Sequence, residues 1–204
     1  EDERDDFSES FKYEGGIKEF VTYLNRNKTP IMEQVPHFDG MQEDIEVEVS
    51  FQYTDGYSEN ILTYANNIHT PEGGTHLSGF RSALTRTVND YARNFKFLKE
   101  NEENLQGDDI REGITAVVSI KISDPQFEGQ TKAKLGNSEV RGAVDTFVSQ
   151  RLQAYLEENP KPAKNIIEKA LASRRAREAA RKARDLTRKR SILDSTTLPG
   201  KLAD

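Results

Sequence analysis

The sequence predicts an α+β fold: a small sheet covered by helices on one side, with a long helix running out of its C-terminal end. Three observations predict it. Ile45-Glu46-Val47-Glu48-Val49-Ser50-Phe51-Gln52-Tyr53 alternates apolar and polar residues, and Ile114 to Ile122 places Ile, Ala, Val, Ile and Ile on one face, so both read as strands. Leu77, Phe80, Leu84, Val88, Tyr91 and Phe95 recur at helical spacing, as do Val140, Ala143, Val144, Phe147, Val148, Leu152, Tyr155 and Leu156. From about Pro162 to Arg190 the chain is rich in Ala and Arg, which favour helix even where packing is thin.

Taken in order, residues 1–12 are acidic and weakly apolar and read as a linker or frayed segment. Ile17, Phe20, Val21 and Leu24 form one stripe of a short helix that ends near Asn27, ahead of Pro30. Residues 31–44 read as loop. After the 45–53 strand, Asp55-Gly56 predicts a type I′ hairpin turn, with Ser58 to Ala65 as the return strand. Asn66 to Thr75 is turn-rich, and the helix beginning at Leu77 has about five turns with Arg81, Arg86 and Arg93 off its apolar stripe. Asp108-Asp109-Ile110-Arg111-Glu112-Gly113 reads as a charged turn entering the 114–122 strand. Asn137 or Ser138 can cap the next helix, and Glu139 suits its first turn. Asn159-Pro160 breaks that helix. The one after it shows Ile166, Ile167, Ala170 and Leu171, then only Ala176, Ala179, Ala180 and Ala183, so its far end can project. The divisions expected are a linker at 1–12, a body at 13–160, a basic connecting helix at 161–190 and a second linker at 191–204.

Composition narrows the class. Of 204 residues 34% are hydrophobic and 31% charged, which fits one real core plus long solvated helices. No Cys is present, so disulfide scaffolds, cysteine zinc sites and thiol catalysis are excluded together, and a reducing compartment is expected. No run is long and apolar enough for a membrane helix. The expectation is a soluble, cytoplasmic segment of a longer protein. The formal charge of −6 conceals a polarised chain: residues 1–60 hold 16 acidic and 5 basic residues, whereas 173–190 holds nine Arg or Lys against Glu178 and Asp185. The basic end is either a solvated helix face or a contact for nucleic acid or an acidic protein.

Few residues carry chemistry on their own. His37, His69 and His76 share no metal-ligand spacing, so no metal site is expected; His76, beside Gly73-Gly74, suits a turn or cap. Glu46 and Glu48 lie two apart on the wet face of a strand, and solvation accounts for them. No Ser-His-Asp pattern, phosphate-binding Walker loop or dinucleotide fingerprint is present, so no complete active site is legible. Two features stand out. In Glu128-Gly129-Gln130-Thr131-Lys132-Ala133-Lys134-Leu135-Gly136 the apolar pattern stops between two glycines. If that segment is extended, Gln130 and Lys132 point the same way and can reach one anion; the other reading is a mobile surface loop. The second feature is the arginine set of the middle helix, Arg81 above all, which is either solvated or faces DNA phosphates.

Gln130-Thr131-Lys132 resembles the QTK loop of the bacterial DNA gyrase B and topoisomerase IV family. Tyr13-Glu14-Gly15-Gly16-Ile17, Leu24-Asn25-Arg26-Asn27-Lys28, Glu72-Gly73-Gly74-Thr75-His76, Arg111-Glu112-Gly113, Ala176-Arg177-Glu178-Ala179-Ala180 and Leu198-Pro199-Gly200-Lys201-Leu202-Ala203-Asp204 resemble the same family in the same order. The terminal stretch inclines the resemblance towards gyrase. It implies a transducer domain, a two-layer sandwich of the ribosomal-protein-like type, lying between a GHKL-type ATPase domain and a TOPRIM domain. It implies that Lys132 and Gln130 reach the γ-phosphate of ATP held by the preceding domain, with Mg2+ bound elsewhere, and that this segment alone is inactive. It further implies that Arg81 faces the cavity through which duplex DNA passes, and that the partners are a gyrase A subunit and a second copy of the gyrase B chain. The alternative is a freestanding nucleic-acid-binding module using its basic helix.

Overall fold

The structure, a computed structural model, describes residues 16–196, with side chains as far as residue 189. The 1–12 segment, the Tyr13-Glu14-Gly15 start of the first motif and the Leu198–Asp204 stretch lie outside the described residues. In chain order the elements are α1 (Gly16–Leu24), β1 (His37–Gln42), β2 (Ile45–Tyr53), β3 (Asn60–Ala65), β4 (Ile68–His69), α2 (Thr75–Asn94), α3 (Gly107–Arg111), β5 (Ile114–Lys121), β6 (Phe127–Glu128), β7 (Lys134–Leu135), α4 (Ser138–Glu158) and α5 (Pro160–Thr196). A five-stranded sheet has the order β1-β2-β5-β3-β4, and β6 and β7 form a separate two-stranded hairpin. Among the described residues no helix is long and apolar enough to cross a membrane.

The expected hairpin at Asp55-Gly56 is corrected. β2 pairs antiparallel with β1 and β5, whereas β3 lies beyond β5 and runs parallel to it. Neither Asp55 nor Gly56 takes the positive φ that a type I′ turn requires. Instead the end of β2 stays paired on both sides: the Thr54 N–H donates to Gly113 C=O at 2.9 Å, one step beyond the β2–β5 register, and the Asp55 N–H donates to Thr29 C=O at 2.9 Å. The two hairpin turns of the five-stranded sheet are Glu43-Asp44 (φ 50° and 62°), joining β1 to β2, and Asn66-Asn67 (φ 49° and 64°), joining β3 to β4. Both lay in stretches read as loop or turn, because Glu-Asp carries no glycine and β4 has only two residues.

The α+β expectation, with its two-layer sandwich of the ribosomal-protein-like transducer type, is corrected as well. The parallel β3–β5 pair is joined through α2 and α3, which is an α/β connection in a mixed sheet. Nor do helices cover only one face. α2 and α4 pack on the side of Val47, Val49, Phe51, Ala116, Val118 and Ile120, while α1 packs on the other with Val21, Val35 and Val117. β5 is therefore buried from Ile114 to Ile120 on both faces, and the run Ala116-Val117-Val118 is the sign of it, since a strand covered twice reads as continuously apolar.

Polar residues on the α1 side are paired rather than exposed. Asn25 Nδ2 donates to Gln52 Oε1 at 3.0 Å, Thr115 Oγ1 donates to Asn25 Oδ1 at 2.7 Å, and Gln52 Nε2 donates to Met32 C=O at 3.3 Å. On the main-core side α2 and α4 approach closely at Gly79, where a Cβ would lie 2.5 Å from Arg141 O. α5 seats Ala163, Ile166, Ile167 and Ala170 in the core and then leaves it; residues 179–189 are exposed all round.

Candidate functional site

The loop singled out by the sequence is the tip of the β6–β7 hairpin. Phe127 pairs with Leu135 and Glu128 with Lys134, leaving residues 129–133 as the tip. Gln130, Thr131 and Lys132 are exposed. Gly129 and Lys132 take left-handed backbone conformations, φ 75° and 53°, so the segment is a turn. The extended spacing that would align Gln130 with Lys132 is thus corrected: the chain reverses there, and both side chains are presented from one tip instead.

The base of the hairpin is tightly held. Leu135 is fully buried, its N–H donates to Gly73 C=O at 3.0 Å, and the Glu72 N–H donates to Ala133 C=O at 2.9 Å. Gly73 and Gly74 sit at φ 70° and 133°, and a Cβ on Gly74 would lie 2.3 Å from Leu135 O, so the Glu72-Gly73-Gly74 motif is a backbone seat for the loop. Asn137 holds the other side. It accepts the Gln126 N–H at 2.6 Å and donates to Asp124 C=O at 3.0 Å. It stands at the expected N-cap position of α4, but its side chain closes the neck of the loop and makes no helix-cap bond. Asn137 Nδ2 also donates to Glu139 Oε1 at 2.9 Å, which with backbone bonding holds the Glu139 carboxyl below its usual range.

The two lysines of the loop differ. Lys134 Nζ is 2.9 Å from Glu128 Oε2 and is neutralised across the hairpin. Lys132 meets no carboxylate among the described residues; its nearest partner is the Phe127 ring, 6.0 Å from Nζ to centroid. An ammonium with free donors, beside an amide on a firmly based tip, suits the terminal oxygens of a phosphate group and no more of a nucleotide. Among the described residues no three His, Asp or Glu side chains gather to hold a metal ion.

α2 starts where the hairpin is seated, and His76, its second residue, is fully buried. Its Nε2 lies 3.1 Å from Thr70 Oγ1, which also contacts Thr63, and burial lowers its pKa to about 4. It is a neutral packing residue inside the helix rather than a turn or cap. His37 instead pairs with Glu48 at 2.9 Å, and His69 rests against the Tyr64 ring.

Arg81 lies seven residues beyond Gly74, about 10 Å along the axis of α2. The structure does not bring it to the Lys132 tip. Its Nε and Nη2 donate to Glu59 Oε1 at 2.9 and 2.5 Å, and Arg111 Nε donates to Glu59 Oε2 at 3.0 Å. Arg86 is committed to Asp145 and Ser149, and Arg93 to Asn104 and two backbone carbonyls. Sequence reading missed Glu59 altogether and took α3 for a turn. The short helix is instead a hub, sending Arg111 to Glu59 and receiving Arg177 of α5 on Asp109 at 2.9 and 2.8 Å. The only hint was the density of opposite charges in 108–112.

Comparison with solved structures gives the class. The fold superposes on the 43K ATPase domain of Thermus thermophilus gyrase B in complex with an aminocoumarin, with TM-score 0.79 and 47% identity over 84% of this chain and 46% of that one. It also superposes on the topoisomerase IV ATP-binding domain of Francisella tularensis, with TM-score 0.69 and 27% identity over 82% of this chain and 44% of that one. This is an α/β fold found within gyrase-type ATPase regions, and the transducer-type assignment expected from the sequence is corrected accordingly. The chain belongs to the DNA gyrase B family, whose model matches residues 16–186. It is 61% identical over 204 residues to the DNA gyrase B protein of Clostridium acetobutylicum, covering the whole of this chain and 32% of that protein. The chain thus spans about a third of the length of that relative.

Proposed function

We propose that this chain is the part of a type II DNA topoisomerase, within its gyrase B chain, that couples the state of a bound nucleotide to passage of duplex DNA. The observation that carries the reading is the Lys132 tip: an unpaired ammonium and an exposed amide on a turn whose base is fixed by Gly73, Gly74 and Asn137. When bound, ATP supplies a terminal phosphate anion. The Lys132 ammonium and the Gln130 amide donate to its oxygens, tying this segment to the nucleotide-holding part of the protein in one orientation. Without that anion the tip has no partner, and the orientation is no longer favoured. A charge-assisted contact of about 1.5–3 kcal/mol biases such an equilibrium roughly ten- to hundredfold. The nucleotide's Mg2+ is assigned to another part of the full-length protein. α5, gripped through Arg177 by Asp109 and helical beyond it, is the lever towards the DNA-handling parts. The body is placed at 13–160, the connecting helix at 161–190, and linkers at 1–12 and 191–204.

The partners that go with this reading are duplex DNA at Arg81, a second copy of the gyrase B chain and a gyrase A subunit, in a cytoplasmic assembly on the chromosome. Lys132→Ala in the full-length protein is expected to lower ATP turnover at least about a hundredfold and to abolish supercoiling while the fold is retained. Wild-type turnover in that variant would sink the proposal. The exposed face of α5 supports a second reading, a nucleic-acid-binding module. Arg181, Lys182, Arg184, Arg188 and Lys189 are unpaired among the described residues, against Asp185 alone. Tight, steeply salt-dependent binding of duplex DNA by the isolated segment would favour it.

A further inference from the structure

We infer that Glu59 is a positioning residue, aiming the Arg81 guanidinium outward at a DNA phosphate, with Arg111 as the counter-charge that keeps Glu59 from repelling the same phosphate. The inference rests on the reading of Arg81 as a DNA contact.

A guanidinium has two edges that can each grip an anion, Nε with Nη2 and Nη1 with Nη2. Both donors of the first edge of Arg81 are spent on Glu59 Oε1, at 2.9 and 2.5 Å. Nη1 has no acceptor among the described residues, and the side chain is 43% exposed. The held edge therefore fixes the plane of the group, and the free edge faces solvent. A long side chain on a helix surface otherwise samples many rotamers, and fixing it in advance removes that entropy from the encounter.

A carboxylate beside a phosphate-binding arginine ordinarily works against binding. Here Glu59 Oε2 is occupied by Arg111 Nε at 3.0 Å, and Arg111 is only 13% exposed. Its guanidinium lies over Gly107, where a Cβ would sit 2.3 Å from Nη1. Arg81, Glu59 and Arg111 together carry one net positive charge. Asp108, which takes Arg111 Nη2 at 2.5 Å, is 85% exposed, so its charge is screened by solvent. The three groups come from α2, the 54–59 loop and α3. Glu59 spends one oxygen on each arginine, so the carboxylate that orients Arg81 is itself held in place from α3.

The test uses the full-length protein assembled with its partner subunits, with ATP turnover measured against duplex DNA concentration. Glu59→Ala is expected to raise the DNA concentration for half-maximal stimulation about tenfold, with turnover at saturating DNA within about twofold of wild type. Glu59→Gln keeps an oxygen acceptor and is expected to show roughly a threefold rise; it also serves if the alanine variant loses thermal stability. The double variant Glu59→Ala/Arg81→Ala is expected to match Arg81→Ala alone, because Glu59 acts through Arg81. An unchanged or stronger response to DNA in Glu59→Ala overturns the inference while leaving the Arg81 reading intact if Arg81→Ala is impaired. A wild-type response in Arg81→Ala overturns both. A double variant worse than Arg81→Ala shows an independent contact and also overturns it.

Discussion

His76 shows how burial alone sets the behaviour of one residue. The imidazole is enclosed at the start of α2 and its pKa falls to about 4, from 6.5 in the unfolded chain. A group whose charged form is disfavoured by folding destabilises the native state once the unfolded chain begins to take up protons. Stability should therefore be flat above about pH 7 and fall as pH drops from 6.5 towards 4. The loss between pH 7.5 and 5 should be about 2 kcal/mol. Urea unfolding at those two pH values measures it, and His76→Gln should remove the slope; an equal drop in the variant would show that other groups are responsible. The same sensitivity to surroundings separates Lys132 from Lys134. Both stood in the sequence as exposed amines of one loop, and only the β6–β7 register, which sets Glu128 opposite Lys134, leaves Lys132 as the unpaired one.

Among the elements, the α2–α4 crossing depends on Gly79. An alanine there gains up to about 1 kcal/mol of helix propensity. Its Cβ, however, would lie 2.5 Å from a backbone oxygen of α4, which no rotamer change can relieve. The clash should win, so Gly79→Ala is expected to destabilise by about 1–3 kcal/mol and lower Tm by roughly 5 °C, as read by thermal unfolding. An unchanged or higher Tm would show that the two helices separate freely. The helices were legible because their apolar residues repeat at the helical period over five turns. The short elements were not. β4, α3, β6 and β7 span two to five residues each, too few for any period to show, and each exists because a neighbouring element offers it hydrogen bonds or ion pairs.

For the molecule as a whole, the question is what α5 does beyond the core. Residues 179–189 are exposed on every side, so they are helical by the propensity of Ala, Arg and Lys. Ala183→Pro should break the arm there, costing about 3 kcal/mol of local helix stability while the melting of the body stays within about 2 °C, because no core contact is lost. In the full-length protein the variant should lose supercoiling if the arm transmits motion; normal supercoiling would remove that role. The sequence by itself determined the long helices, the strand at 45–53, the strand read at 114–122 to within one residue, and the family. Those are local patterns and motifs, written in consecutive residues. Only the tertiary structure decided that β3 runs parallel beside β5 rather than folding back on β2, since strand order depends on which faces the helices cover. It alone decided that Arg81 is held by Glu59 and Glu59 in turn by Arg111, because a guanidinium finds its partner in space, across 22 and 52 positions of chain, and no spacing in the sequence records that meeting.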